Sequence, residues 1–311
     1  MEVKQKYYME VIRALDNLSK RIENLERKIE CMFVLNSSTS NTFESRRSHC
    51  FKQLPKLDNK IIKLQQLALE SFSYFQKICS DNDIQYWISF GTLLGAYRHD
   101  GFIPWDDDFD VQIKRSDLDK LIKLSNREEY SIKRKIWKNG DYGIVYSFIH
   151  EGICNVDIMP IDDCTNSTYE ELQSILVLKR SKMKEKLKTL YSTINWSEES
   201  TYIEDLPKDI IDKFNTIYSE STLFEKANSD SKYIVGGIEC QDDVCIIYER
   251  KFVFPLNTHI FENIIVPMPC CPENILEIVY GNYMKIPDDF YIPKHNELLL
   301  SEDCNKNDDE T

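Results

Sequence analysis

The chain has 311 residues, 42% hydrophobic and 29% charged, enough for one large globular domain or two smaller ones and too apolar for wholesale disorder. Lys and Arg number 39 against 52 Asp and Glu, a formal net charge of −13 that excludes nucleic-acid binding and adhesion to anionic membranes by bulk attraction. No apolar run reaches the roughly 18 residues of a membrane span, and the start MEVKQKYYMEVIRALDNL lacks the apolar core of a signal peptide. The ten cysteines contain no CxxC pair, so free buried thiols in a reducing, cytoplasmic setting are expected rather than structural zinc.

Residues 1–35 carry their own periodicity. Tyr8, Val11, Leu15, Leu18, Ile22, Leu25, Ile29 and Met32 recur at alternating spacings of three and four, an a/d heptad. Ile at a and Leu at d favour a parallel two-stranded coil, so homo-oligomerisation through residues 8–32 is expected, with Arg21 placed to pair with Glu26 of a second copy. The alternative is an amphipathic helix folded back on its own chain. Residues 36–50, rich in Ser, Thr and Asn, read as a linker, and residues 302–311 as an acidic tail. Between them, residues 51–301 form the body.

The body begins with a helix predicted over 57–79, its apolar side made of Leu57, Ile61, Leu64, Ala68, Phe72, Phe75 and Cys79. A short strand follows at 86–90, and a helical stretch to Arg98 that Gly91 and Thr92 open. Alternation of Phe109, Val111 and Ile113 predicts a strand, and Ser116 with Asp119 suggests a capping box opening a helix to Leu124. Further strands are expected at 132–137, 144–149 and 154–159, and helices at 169–190 and 204–226. The remainder, rich in Pro and Cys, gives no clear periodicity.

The densest chemical signal is IPWDDDFDV, residues 103–111. If this stretch is extended, Asp106, Asp108 and Asp110 share one face and Asp107 opposes them. Hard oxygen ligands about 7 Å apart along a strand suit Mg²⁺ or Mn²⁺. Asp157, set between Val156 and Ile158, is costly to bury without a partner and supplies a third carboxylate if its strand lies alongside. The combination fits a two-metal site for displacement at phosphorus. The plain alternative is an acidic turn in solvent. Upstream, Gly91 and Thr92 at a strand–helix junction form a candidate phosphate cradle. Arg98 is either a bidentate phosphate ligand or an ion-pair partner of the aspartates, and His99 either an acid–base group or a solvated loop residue.

GTLLGAYRHDGFIPWDDDFDV over residues 91–111 resembles the LicD family, which includes bacterial phosphorylcholine transferases and fukutin-type proteins. VDIMPID over 156–162, FENIIVPMP over 261–269 and YGNYMKIP over 280–287 extend the resemblance to about residues 60–295. It implies an α+β fold, a polymerase-β-type nucleotidyltransferase-like mixed sheet with flanking helices, here preceded by the coiled-coil helix. It also implies transfer of a phosphorylated alcohol, such as phosphocholine or a pentitol or glycerol phosphate, from a CDP-alcohol donor to a glycan hydroxyl. By position, Gly91 and Thr92 face the donor phosphates, while Asp108, Asp110, Asp157 and Asp106 bind metal. Tyr280, Tyr283 and Trp105 either shape a pocket for the donor or pack in the core. Three positions depart from the family pattern: Asp100 for a basic residue, Asn282 for Asp and Met159 for Phe. Two other readings stay open: nucleotide transfer at the same site, and a coiled-coil scaffold carrying an inactive body.

Overall fold

The computed structural model describes residues 59–284 apart from 126–128, 139–141, 165–166, 222–229 and 241–244, together with Phe51 and scattered positions between 11 and 29. The linker and tail expected at 36–50 and 302–311 lie outside the described residues. Helix α1 (Asn59–Asp81) opens the body, and Ile61, Leu64, Ala68, Phe72, Phe75 and Cys79 form its buried side as predicted, while Leu57 of the expected face lies outside the described residues. It lies on one face of a mixed sheet. Phe72 stacks on Phe109 with ring centroids 4.0 Å apart, and Phe75 meets Phe148 edge-on at 5.4 Å.

Among the described residues the sheet has eight strands. Along its main path the order is β1 (Tyr86–Ile88), β2 (Phe109–Lys114), β5 (Ile153–Asp163), β4 (Val145–His150), β3 (Tyr130–Trp137) and β6 (Ser200–Tyr202). The pairing of β2 with β5 is parallel, and its other pairings are antiparallel. The eleven-residue β5 is long enough to pair twice along one edge. Its first half runs beside β4, and Ile161 to Asp163 continue beside β7 (Tyr233–Gly236), which pairs in turn with β8 (Ile247–Glu249). The mixed sheet with flanking helices is the expected α+β class.

Helix α2 (Phe90–His99) follows β1 directly, so the predicted strand stops two residues early and Phe90 enters the helix with φ of +39°. Helix α3 (Arg115–Leu124) follows β2 with Lys114 as its N-cap and no side-chain cap bond, so the expected Ser116–Asp119 capping box does not form. The reason is continuity, because the strand passes straight into the helix and leaves Ser116 inside its first turn. A capping box forms instead at Thr168 and Glu171, opening α4 (Tyr169–Tyr191). Pro207 delays α5 to Lys208–Ser221, behind a short 3₁₀ turn. The segment without clear periodicity holds β7, β8, the short α6 (Arg250–Val253), a hairpin of β9 (Asn257–Phe261) and β10 (Ile264–Met268), and α7 (Pro272–Tyr280).

The described heptad positions Val11, Leu15, Leu18, Ile22, Leu25 and Ile29 are helical and 39–63% exposed, so these side chains are not packed into the body. The expectation of buried thiols holds for Cys79 and Cys164. Cys240, Cys245, Cys270 and Cys271 are only half-buried, because they lie on connections rather than on core faces.

Candidate active site

Strand β2 sorts its side chains by alternation. Phe109, Val111 and Ile113 go to the α1 side, and Asp110 and Gln112 to the other face. Asp110 lies directly opposite Asp157 in the parallel register with β5, so the two carboxylates share a face on neighbouring strands about 4.8 Å apart. Ser147 of β4 lies opposite Asp157 on its other side and donates its hydroxyl to Asp157 Oδ1 at 3.1 Å. Gln112 continues the floor, accepting from Trp87 Nε1 at 3.1 Å and donating to the Tyr248 hydroxyl at 3.3 Å.

The start of α2 clamps Asp110. The Gly91 N–H donates to Asp110 Oδ2 at 2.8 Å, the Asp110 N–H donates to Thr92 Oγ1 at 2.7 Å, and the Ser89 N–H donates to the Asp110 carbonyl at 2.9 Å. A Cβ on Gly91 would sit 2.9 Å from Asp106 Oδ2 and 3.0 Å from Asp110 Oδ2, so only glycine lets both carboxylates close over the helix start. The Gly91–Thr92 element thus orients a carboxylate. Since the Thr92 oxygen accepts from the strand, its hydroxyl proton is what it offers to another group.

Residues 106–108 lie ahead of the strand and outside its ladder. They follow a turn at 104–105, and β2 begins only at Phe109. Strand alternation therefore fails for Asp107, which joins Asp106 and Asp108 instead of opposing them. Carboxylate oxygens of all three lie within 4.8 Å of one another, and all three residues are buried. Gln65 of α1 fixes this loop from beneath, donating Nε2 to the carbonyls of Asp106 at 2.8 Å and Ile103 at 3.3 Å. Crowded hard oxygens of this kind fit a divalent cation, which relieves their mutual repulsion and takes oxygen ligands.

Tyr280, at the end of α7, reaches the same place. Burial of its hydroxyl, with Asp110, Asp106, Tyr248 and Asp108 around it, pushes its ionisation well above the ordinary phenol. The residue nonetheless keeps 41% of its surface exposed, so its ring forms part of the wall. Tyr283 meets Tyr97 of α2 edge-on at 5.5 Å, and Trp105 is 5% exposed. Arg98 lies six residues beyond Thr92, about 9 Å along the helix. It is 4% exposed, with its guanidinium 3.5 Å from the Phe51 ring centroid. His99 is bound to the Phe51 carbonyl through Nδ1 at 2.6 Å. A carbonyl only accepts, so Nδ1 carries the proton, and burial, with Arg98 adjacent, lowers the imidazole to about 3. Of the two readings open to it, an acid–base group or a solvated loop residue, neither describes this half-buried ring held by a backbone carbonyl. Asp100, one of the three departures named above, caps α2 in the left-handed conformation, and its carbonyl accepts from the Glu262 N–H at 2.9 Å.

Ser147 and Gln65 carry no signal in the sequence, because each matters only through strand register or helix placement.

Residues 83–188 match the family described as LicD/FKTN/FKRP, nucleotidyltransferase domain. The chain is similar to the lipopolysaccharide cholinephosphotransferase LicD of Haemophilus influenzae, 39% identical over 66 residues, which cover 21% of this chain and 25% of that protein. It is similar to the ribitol 5-phosphate transferase FKRP of Homo sapiens, 30% identical over 97 residues, 29% of this chain and 19% of that one. A third relative is the mannosyltransferase regulator 4 of Saccharomyces cerevisiae, 29% identical over 119 residues, 37% of this chain and 10% of that one. The chain spans a quarter or less of the length of these relatives.

Proposed function

We propose, from the match of residues 83–188 to the LicD/FKTN/FKRP nucleotidyltransferase domain, that the chain transfers a phosphorylated alcohol from a CDP-alcohol donor to a hydroxyl of a glycan. The observation that carries the reading is the placement of Asp110 opposite Asp157, with Asp110 clamped by Gly91 beside the Asp106–Asp108 cluster. In this reading Asp106, Asp108, Asp110 and Asp157 hold Mg²⁺ or Mn²⁺. When bound, the metal supplies neutralisation of the charge that develops on the phosphates.

The chain's own residues orient and move a proton. Gly91 and Ser147 hold Asp110 and Asp157 facing the reacting phosphorus. The acceptor oxygen bonds to the phosphorus that carries the alcohol, the bond from that phosphorus to the CMP oxygen breaks, and the acceptor proton passes to Asp157. Tyr280 contributes an aromatic wall, which attracts a quaternary ammonium if the alcohol is choline. The absence of bulk positive charge means that an anionic donor is admitted through local contacts, not through the field of the whole protein. Among the described residues no helix is long and apolar enough to cross a membrane.

Incubation with CDP-choline, CDP-ribitol or CDP-glycerol and an acceptor is expected to release CMP with Mg²⁺ or Mn²⁺ and not with EDTA. Asp108→Asn and Asp110→Asn are each expected to abolish release. Undiminished transfer in both variants overturns the reading. A donor labelled in its nucleotide half whose label ends on the acceptor replaces it with nucleotide transfer.

We also propose that the exposed heptad seam pairs with a second copy of the chain. Deletion of residues 1–35 is expected to lower the native mass without unfolding the body, and an unchanged mass overturns the pairing.

A further inference from the structure

Cys270 and Cys271 adjoin at the junction of the β9–β10 hairpin with α7, outside the carboxylate site. Their Sγ atoms are 3.6 Å apart, and both residues are half-buried. The backbone of the pair is held from one side. The Cys270 N–H donates to the Val253 carbonyl at 3.2 Å, the Cys271 N–H to the Phe252 carbonyl at 3.0 Å, and the Cys270 thiol lies 3.0 Å from the Lys251 carbonyl. Cys271 is also the N-cap of α7, with its carbonyl accepting from Ile275.

This arrangement resists closing into a disulfide. A trans peptide spaces adjacent Cα atoms about 3.8 Å apart, below the span of about 4.4 Å at which ordinary disulfides begin. The sulfurs would have to approach from 3.6 Å to about 2 Å, twisting the peptide between them, whose N–H, like that of Cys270 before it, is committed to α6. A ligand that inserts one atom between the sulfurs needs no such twist. Burial, with Cys271 adjacent, raises the Cys270 thiol above its ordinary range, so it stays protonated at neutral pH. A metal that takes thiolates must first displace such protons, whereas an arsenous centre condenses with thiols directly.

We propose that Cys270 and Cys271 form a vicinal dithiol site for a thiophilic, bidentate ligand of the trivalent arsenic class. In the step, two S–H and two As–OH bonds break, two As–S bonds form and two waters leave, with no change in oxidation state. The site sits at the head of α7, whose other end carries Tyr280 to the carboxylates and whose side packs on α2. It is therefore a handle on the wall of the carboxylate site, although its chemistry does not depend on the proposed reaction.

The test uses phenylarsine oxide on the full-length reduced protein, read by intact mass and by thiol titration. One arsenical per chain and the loss of two titratable thiols are expected. Alkylation followed by peptide mapping is expected to find Cys270 and Cys271 protected. Bound arsenical is expected to come off with 2,3-dimercaptopropanol and to survive 2-mercaptoethanol. Cys270→Ser and Cys271→Ser are each expected to lose uptake. Protection of other cysteines in the wild-type protein overturns the site, even if both variants misfold. Closure of the pair by glutathione disulfide at concentrations that match arsenical uptake overturns the preference for a bridging ligand.

Discussion

Strands β2 and β5 build two acidic clusters, one at each end of their parallel pairing, and the two differ in the bonds that orient them. At the first end Asp110 receives the Gly91 N–H and Asp157 the Ser147 hydroxyl, which are neutral donors. At the other end Arg115, just past β2, grips Asp162 through Nε at 2.8 Å and a terminal nitrogen at 2.6 Å, and meets Glu239 with its remaining donors. Asp162 and Glu239 have side chains only 5% and 0% exposed. A bidentate guanidinium cancels carboxylate charge, while an amide or hydroxyl orients a carboxylate and leaves its charge in place. The Arg115 cluster therefore reads as a brace, while the Gly91 and Ser147 bonds orient Asp110 and Asp157 for the cation proposed above.

The largest effects expected separate these roles. Arg115→Met leaves Asp162 and Glu239 buried without their cation and is expected to cost about 3–5 kcal/mol of stability. Denaturant titration would show this as a large drop in midpoint. Asp157→Asn is expected to leave the midpoint nearly unchanged and to cut transfer on the order of 10³-fold, about 4 kcal/mol of transition-state stabilisation. If the two variants lose stability alike, the comparison between brace and site collapses.

The next effect concerns acid. Folded His99 titrates at about 3, whereas an unfolded histidine titrates near 6.5. Below about 6.5 the unfolded chain binds a proton that folded His99 refuses, so stability falls as pH drops from there toward 3. Between pH 6.5 and 5 the loss is expected to be about 2 kcal/mol. His99→Asn keeps a donor for the Phe51 carbonyl and does not titrate. Its stability should change less over that interval, as urea midpoints at the two pH values would show. Equal slopes in both proteins would remove His99 from the account, and any acid loss of transfer would then be sought at the carboxylate end.

How much of this was readable in advance follows the range of the interactions. Alternation of Phe109, Val111 and Ile113 marked β2, and the apolar stripe from Ile61 to Cys79 marked α1, because each pattern is local. Gly91, Asp106, Asp108, Asp110 and Asp157 stood out by residue type. The orientation of Asp107 did not, since a turn at 104–105 suspends the alternation on which the expectation rested. The Arg115 brace joins residues 47 and 124 positions apart, and no local pattern encodes that pairing. Likewise the β9–β10 hairpin and α7 were hidden, because their strands are short and expose much of both faces.

The smallest expected effect bears most directly on neutral orientation as a design. Ser147 is fully buried, and its hydroxyl is the one neutral donor to Asp157 named above. Ser147→Ala removes that bond while keeping the charge of the carboxylate and nearly all of the packing. Supporting bonds of this kind are worth about 10–100-fold in metal affinity or activity, and for a half-buried carboxylate the lower end is expected. Mn²⁺ titration followed by a transfer assay would therefore show an increase of about tenfold in the metal concentration required, with a smaller change in the maximal rate. A fall in rate at saturating Mn²⁺ with unchanged metal affinity would point elsewhere. It would mean that Ser147 orients Asp157 as the proton acceptor, and that the cation rests on the Asp106–Asp108 loop and Asp110 alone.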